Sequence, residues 1–251
     1  MADDASTAGQ PDRGGLADPP GLTAVIVPAA GRGERLGPGA PKALRTLAGQ
    51  PILLHAVRNL ATARDLDIIV VAVPEDAVEE SRALLAGIEL PITIVSGGET
   101  RQDSVARALL ALSPEVDVVL VHDAARPLVP ADVVDRVANA VRAGAPAVIP
   151  TLGVVDTIKD VDADGVVHAT LDRSRLRAVQ TPQGFARDVL QRAHALSDGG
   201  DATDDAGMVE RRGVDVRTVA GHEEAFKITR PLDLVLAEAI LARRRASGGV
   251  G

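Results

Sequence analysis

LTAVIVPAAGRGERLGPGAPK, residues 22 to 42, is an apolar run of strand type feeding a loop that carries Gly31, Gly33, Gly37 and Gly39 among Arg32, Arg35 and Lys42. Glycines let backbone N–H groups approach a polyanion closely, and interleaved cations supply the countercharge, so this reads as a strand leading into a phosphate-cradling loop. Other readings fit less well. A Walker-type loop is excluded by the glycine spacing and by Ala43, which stands where Ser or Thr is needed after the lysine. A dinucleotide fingerprint begun at Gly31 and Gly33 meets Leu36 at its third glycine position, and it lacks the acidic ribose ligand expected about 20 residues on. An ordinary surface turn does not call for four glycines and three cations directly after an apolar strand.

Outward from that loop, apolar stretches and helical patterns alternate, as a mostly parallel α/β sheet requires. The pattern predicts strands at 23–28, 67–73, 92–96, 116–121, 145–149 and 215–219, and helices at 51–63, 76–86, 101–111, 131–142, 186–196 and 231–245. Between 151 and 175 it changes: TIKDVDADGVVHATL alternates apolar and polar residues about an Asp-Ala-Asp-Gly turn, a hairpin signature. By itself that segment is equally a solvated surface hairpin. Residues 1–21 are polar and read as a disordered leader, 22–245 as one domain, and 246–251 as a flexible tail.

Composition narrows the chemistry. With 251 residues and 46% apolar content the chain has ample material for a core. The absence of cysteine excludes disulfides and thiolate metal sites. No apolar stretch reaches the ~20 residues that span a bilayer, and no signal-peptide pattern opens the chain, so the expectation is a soluble, cytoplasmic protein with no membrane partner. A net charge of −8 argues against a nucleic-acid binder; a polyanion has to be met by a local cationic pocket. The only aromatic residues are Phe185 and Phe226, so a nucleobase cannot be sandwiched between rings and its edge has to be read by backbone and small polar groups. Only three of the 27 basic residues are lysines, namely Lys42, Lys159 and Lys227. A chain that uses arginine so freely keeps lysine where a compact ammonium is required.

Several motifs combine a structural and a chemical reading. In VHDAARP (121–127) an apolar strand ends at Asp123, which places it at the carboxyl edge of the sheet. There it either caps the turn before Pro127 or holds a ribose hydroxyl or a Mg²⁺ ion escorting a triphosphate, with Ala124 and Ala125 leaving room. Arg126 is a salt-bridge partner or a phosphate ligand. Gly97 and Gly98 form a strand-to-helix turn; the helix N-terminus beyond it adds positive potential, reinforced by Arg101. Arg173, Arg175 and Arg177 alternate, as on a charged edge strand. Thr203 is a good N-cap for the helix after it, ahead of Asp204 and Asp205. Lys227 follows a short apolar strand, and Pro231 opens the last helix. His122 and Phe185 read as structural.

PAAGRGERLG followed by PKAL resembles the signature of nucleotidyltransferases that join a nucleoside triphosphate to a phosphate or sugar phosphate. SGGETRQDSV (96–105), VHDAARP, TPQGF (181–185), DATDDA (201–206) and KITRPLDL (227–234) are similar to one branch, the 2-C-methyl-D-erythritol 4-phosphate cytidylyltransferases, and run in that family's order. The resemblance implies a Rossmann-like three-layer α/β fold of the nucleotide-diphospho-sugar transferase type, with 151–175 as a protruding β-arm that clasps a second subunit in a homodimer. It implies CTP and a polyol phosphate as substrates and Mg²⁺ as cofactor. It places Ala29, Ala30, Gly31, Gly33, Gly98, Glu99, Ser104, Asp123 and Ala124 at the nucleotide, with Asp123 also on the metal. Arg126, Thr157, Arg173, Thr181, Thr203 and Lys227 fall at the acceptor, and Arg35, Lys42, Arg173 and Lys227 carry the transfer. A cytidylyltransferase for another polyol phosphate, such as ribitol 5-phosphate, and a non-catalytic nucleotide-binding regulator are the alternatives. The second predicts losses among Arg35, Lys42 and Lys227, and all three are present.

Overall fold

A computed structural model describes residues 21–31, 42–196 and 204–248, with Lys42 described by its backbone. In chain order the strands are β1 Leu22–Pro28, β2 Thr46–Leu47, β3 Gln50–Pro51, β4 Ile68–Val73, β5 Ile92–Ser96, β6 Val116–Val121, β7 Ala147–Gly153, β8 Ile158–Val161, β9 Val167–Leu171, β10 Arg177–Val179, β11 Gln183–Ala186 and β12 Val216–Ala220. The helices are α1 Ile52–Leu60, α2 Val78–Leu85, α3 Arg101–Leu110, α4 Ala131–Arg142, α5 Arg187–Ala195, α6 Asp205–Glu210 and α7 Pro231–Ala246.

β5, β4, β1 and β6 lie side by side and parallel. β11 runs antiparallel between β6 and β7, and β12 pairs parallel with β7 along its other edge. The β1 sequence explains its central place. Residues 24 to 27 are fully buried, so side chains of both faces need apolar cover. Val25 and Val27 pack with residues of α1, α2 and α4 on one face, while Ala24 and Ile26 pack with residues of α3, α5 and α6 on the other. The result is the expected three-layer α/β arrangement. α7 adds a satellite cluster in which Ala237 and Leu241 meet Leu47, Ile52, Leu128 and Ile228.

The parallel strands and most helices lie where the pattern put them. The helix expected over 76–86 opens with a 3₁₀ turn, Glu75–Ala77, before α2. Two features differ more. β7 continues through Pro150 to Gly153, four residues beyond its expected end, because β10 and β12 pair with the extension. β11 was not anticipated: its four residues contain a glycine and show no alternation, and it is a strand because two neighbours cover it. Gly184 admits the helix on that face, since a Cβ there would sit 2.6 Å from a Val137 methyl. The hairpin stands as β8 and β9, paired antiparallel about Asp162–Gly165, with every residue of β9 exposed. Gly165 takes the left-handed φ of +83° that the turn demands. No helix of the described residues is long and apolar enough to cross a membrane.

Phe185 is fully buried and lies in register with Val119 of β6 and Ala147 of β7. Phe185→Ala should therefore cost about 3–5 kcal/mol, because the surrounding sheet relaxes only partly into the cavity. Urea unfolding measures it; a loss below about 1 kcal/mol would show that β11 is not a core strand.

Candidate active site

The carboxyl ends of β1, β5 and β6 open onto one cavity of about 240 Å³. Ala29, Ala30 and Gly31 line it from the loop after β1, Gly98, Glu99 and Ser104 from the loop after β5, and Asp123 and Ala124 from the loop after β6, with Lys227 closing one side. All of these were selected by sequence; strand ends that point the same way bring the loops together, and Lys227 reaches them from the segment before α7. The Gly98 turn is set by sterics. A Cβ on Gly98 would lie 2.1 Å from the Asp103 Cβ, so no side chain fits. Thr100 caps α3 and forms a reciprocal capping box with Asp103. Ser104 is buried: its hydroxyl accepts from the Gly98 N–H at 3.0 Å and donates to the Thr100 carbonyl at 2.9 Å, fixing the loop on the helix.

A second, more polar cavity of about 200 Å³ adjoins the first, and the two share Arg101, Asp123 and Lys227. Arg126, Thr181, Gln183 and Asp204 line its remainder. At the shared wall Asp123 accepts from Arg101 Nε at 3.1 Å through Oδ1 and from Lys227 Nζ at 2.7 Å through Oδ2. Burial by itself would raise the Asp123 carboxyl, but Arg101 and Lys227 outweigh it and hold the group well below the usual carboxylate range. Arg101 also gives Nη1 to Asp205 at 2.6 Å, and the other oxygen of Asp205 meets His194 Nε2 at 3.0 Å. Burial disfavours the Arg101 charge, yet Asp205 and then Asp123 reverse this and raise its pKa.

Behind the wall, Thr181 and His122 form a support. Thr181 Oγ1 accepts from the Asp123 backbone N–H at 3.1 Å and lies 3.1 Å from His122 Nδ1. His122 Nε2 lies 3.1 Å from the Arg126 carbonyl oxygen. The arrangement is satisfied when the hydroxyl donates to Nδ1 and a neutral ring donates from Nε2. Arg126 forms no ion pair among the described residues; its guanidinium donates to the Ala225 carbonyl at 2.7 Å and the Val179 carbonyl at 3.2 Å, tying three segments together. Burial lowers its pKa.

The remaining candidates are placed as follows. Thr157 and Arg173 belong to the exposed arm and line neither cavity; Arg173 Nη1 donates to the Val155 carbonyl. Lys159 pairs across the hairpin with Thr170. Gly33, Arg35, Thr203 and the Lys42 side chain lie outside the described residues. The expected N-cap at Thr203 is corrected: Asp204 caps α6, accepting from the Gly207 N–H at 2.9 Å, because its carboxylate sits one residue before the first helical turn. The Asp205 and His194 pair was missed. The only signal was two adjacent aspartates, of which just one can cap a helix. For a divalent cation, Asp123 and Glu99 are the carboxylates of the first cavity, and no three His, Cys, Asp or Glu of the described residues are grouped so as to hold a metal ion. That donor set fits a hard cation carried mainly by phosphate oxygens and water, with one carboxylate added.

A three-layer α/β sheet with glycine turns and the cations Arg101 and Lys227 at the carboxyl ends of its strands suits a nucleotidyltransferase. The chain belongs to the 2-C-methyl-D-erythritol 4-phosphate cytidylyltransferase family, IspD, whose model matches residues 23–243. A protein of that name from Streptomyces avermitilis is 58% identical over 238 residues, which cover 90% of this chain and 94% of the relative. The crystal structure of the Thermus thermophilus protein of the same name superposes with a TM-score of 0.69 at 38% identity, covering 87% of this chain and 98% of that one. The 4-diphosphocytidyl-2C-methyl-D-erythritol synthase from Anaerococcus prevotii superposes with a TM-score of 0.78 at 27% identity, covering 89% of this chain and all of that one.

The buried support yields a pH prediction. Burial lowers His122 to about 4, against about 6.5 in an unfolded chain. As pH falls the unfolded state takes up the proton first, so this stabilisation is complete above about 6.5 and lost progressively down to about 4, up to roughly 3 kcal/mol. Urea midpoints across that window should fall less steeply in His122→Gln than in the parent; equal slopes would contradict a neutral, buried ring.

Proposed function

We propose that this protein transfers CMP from CTP to 2-C-methyl-D-erythritol 4-phosphate, giving 4-diphosphocytidyl-2-C-methyl-D-erythritol and pyrophosphate. The observation that carries the reading is the wall of Arg101, Asp123 and Lys227 common to two adjoining cavities. One cavity has the small, glycine-lined shape suited to a nucleotide and the other the polar lining suited to a polyol phosphate. A phosphate oxygen of the acceptor attacks the α-phosphorus of CTP, a new P–O bond forms, and the bond to the β-phosphate breaks as pyrophosphate leaves. No general base is needed, since a phosphate monoester is already ionised at neutral pH.

The barrier is repulsion between two polyanions, and the residues divide the work of lowering it. Arg35 and Lys42 neutralise the α-phosphate and the departing pyrophosphate, while Lys227 and Arg173 hold the attacking phosphate in line. Backbone and small groups of Ala29, Ala30, Gly31, Gly33, Gly98, Glu99 and Ser104 read the cytosine and hold the nucleotide. Asp123 and Ala124 accommodate the ribose, and Thr181, Thr203 and Arg126 complete the acceptor side. When bound, Mg²⁺ supplies charge neutralisation on the triphosphate, with Asp123 as its protein ligand. Thr157 and Arg173 stand on an arm away from both cavities of their own chain, which supports a homodimer in which the arm delivers both to the partner's acceptor site. CTP is a cytoplasmic nucleotide, and the reaction belongs in that compartment.

The direct test is pyrophosphate release from each of the four nucleoside triphosphates with Mg²⁺ and a panel of polyol phosphates. CTP with 2-C-methyl-D-erythritol 4-phosphate should exceed every other pair, and preference for ribitol 5-phosphate would overturn the acceptor assignment. Lys42→Ala should lower turnover by about two to four orders of magnitude while CTP still binds, because the lost interaction is strongest in the transition state. Calorimetry showing abolished binding, with turnover intact at saturating CTP, would reverse that role.

Removal of residues 152–172 should leave a monomer that binds CTP and is inactive. Sedimentation and pyrophosphate release check it together, and an active monomer would refute the shared site.

A further inference from the structure

The ionic chain at the site extends beyond the groups that face the cavities. Asp205 is fully buried at the start of α6, and both of its oxygens are engaged, Oδ2 by Arg101 and Oδ1 by His194. A buried carboxylate is costly to maintain unless paired, and Gln183 anchors this segment by accepting from the Ala206 N–H at 3.0 Å while donating to Asp204 at 2.7 Å. The consequence for Arg101 is geometric. The bond from Nη1 to Asp205 anchors the guanidinium where Nε alone reaches Asp123, through Oδ1, and Oδ2 is left for Lys227. A guanidinium not held in this way prefers a two-pronged grip on a carboxylate.

We propose that Asp205, braced by His194, is a positioning residue for nucleotidyl transfer: it holds Arg101 to a single contact with Asp123 and thereby keeps Asp123 and Lys227 paired at the wall between the two cavities. The inference rests on the cytidylyl-transfer reading for its kinetic consequences and on the ion-pair geometry for its structural one. Asp205 touches neither cavity, so its effect is felt through Arg101.

The test is a cycle of Asp205→Asn, Arg101→Met and the double variant, read as kcat at saturating substrates alongside the calorimetric Kd for CTP and the Tm. Asp205→Asn should lower kcat by about 100-fold at most and about tenfold at least, as misplacement by an ångström does, with the Kd for CTP within about threefold of the parent. The double variant should be no slower than Arg101→Met, since the two act as one unit. Multiplying effects, or an Asp205→Asn protein that is less stable yet turns over normally, would overturn the proposal.

If Asp205→Asn does not fold, His194→Gln takes its place. A drop in kcat on the order of tenfold with an unchanged Tm supports the proposal, and an unchanged kcat overturns it. A crystal structure of whichever variant folds reads the claim without turnover. Arg101 gripping Asp123 with two nitrogens and Lys227 released is expected; Arg101 and Lys227 unmoved would refute it. That arm is independent of the substrate, whereas a parent enzyme that releases no pyrophosphate from CTP and 2-C-methyl-D-erythritol 4-phosphate would refute the functional reading alone.

Discussion

A single buried carboxylate, Asp123, binds a cation 22 residues earlier in the chain and another 104 residues later, at the point where two cavities meet. Desolvating an anion is expensive, and the cost is met here by two charge-assisted contacts that satisfy one oxygen each. Removing either cation would leave buried charge uncompensated. The same carboxylate thus fixes where Arg101 and Lys227 stand, and with them the relation of one cavity to the other.

The surrounding fold serves to keep that carboxylate in place. β6 delivers Asp123 to the sheet edge, and Thr181 holds its backbone N–H from the segment just before β11. His122 and Arg126 flank it, the first bonded to Thr181 and to the Arg126 backbone, the second to two carbonyls. In the first cavity, the Gly98 turn is held by Ser104 and by close approach to Asp103. Each device uses a hydrogen bond or a steric limit that fixes one geometry, which is what a site built to bring two polyanions together requires.

Much of this was legible in the sequence because it is local. The apolar run of β1, the glycine turn after β5 and the Asp at the end of β6 are read from neighbouring residues, and the alternation of strands with helices, which makes the strands parallel, places all three at one sheet edge. The arm was legible for the same reason, through its Asp-Ala-Asp-Gly turn. What could not be read depends on partners distant in the chain. β11 is a strand because β6 and β7 flank it, not because QGFA has a strand pattern. Arg101 was recognised as a helix-end charge, but its pairing with Asp205, 104 residues away, has no signature in either segment. The α6 cap was assigned to Thr203 because Thr and Asp are both good caps; Asp204, which Gln183 also holds, takes the role.

If, as proposed, donor and acceptor occupy the two cavities that share Arg101, Asp123 and Lys227, transfer is direct: the acceptor phosphate reaches the α-phosphorus without a covalent enzyme intermediate. The measurement that tests this most directly is the stereochemical course at phosphorus, using CTP that carries one sulfur on its α-phosphate in a single configuration. A single in-line displacement predicts inversion at phosphorus in the diphosphocytidyl product. Retention would require two successive displacements through a nucleotidylated side chain, and would contradict the account.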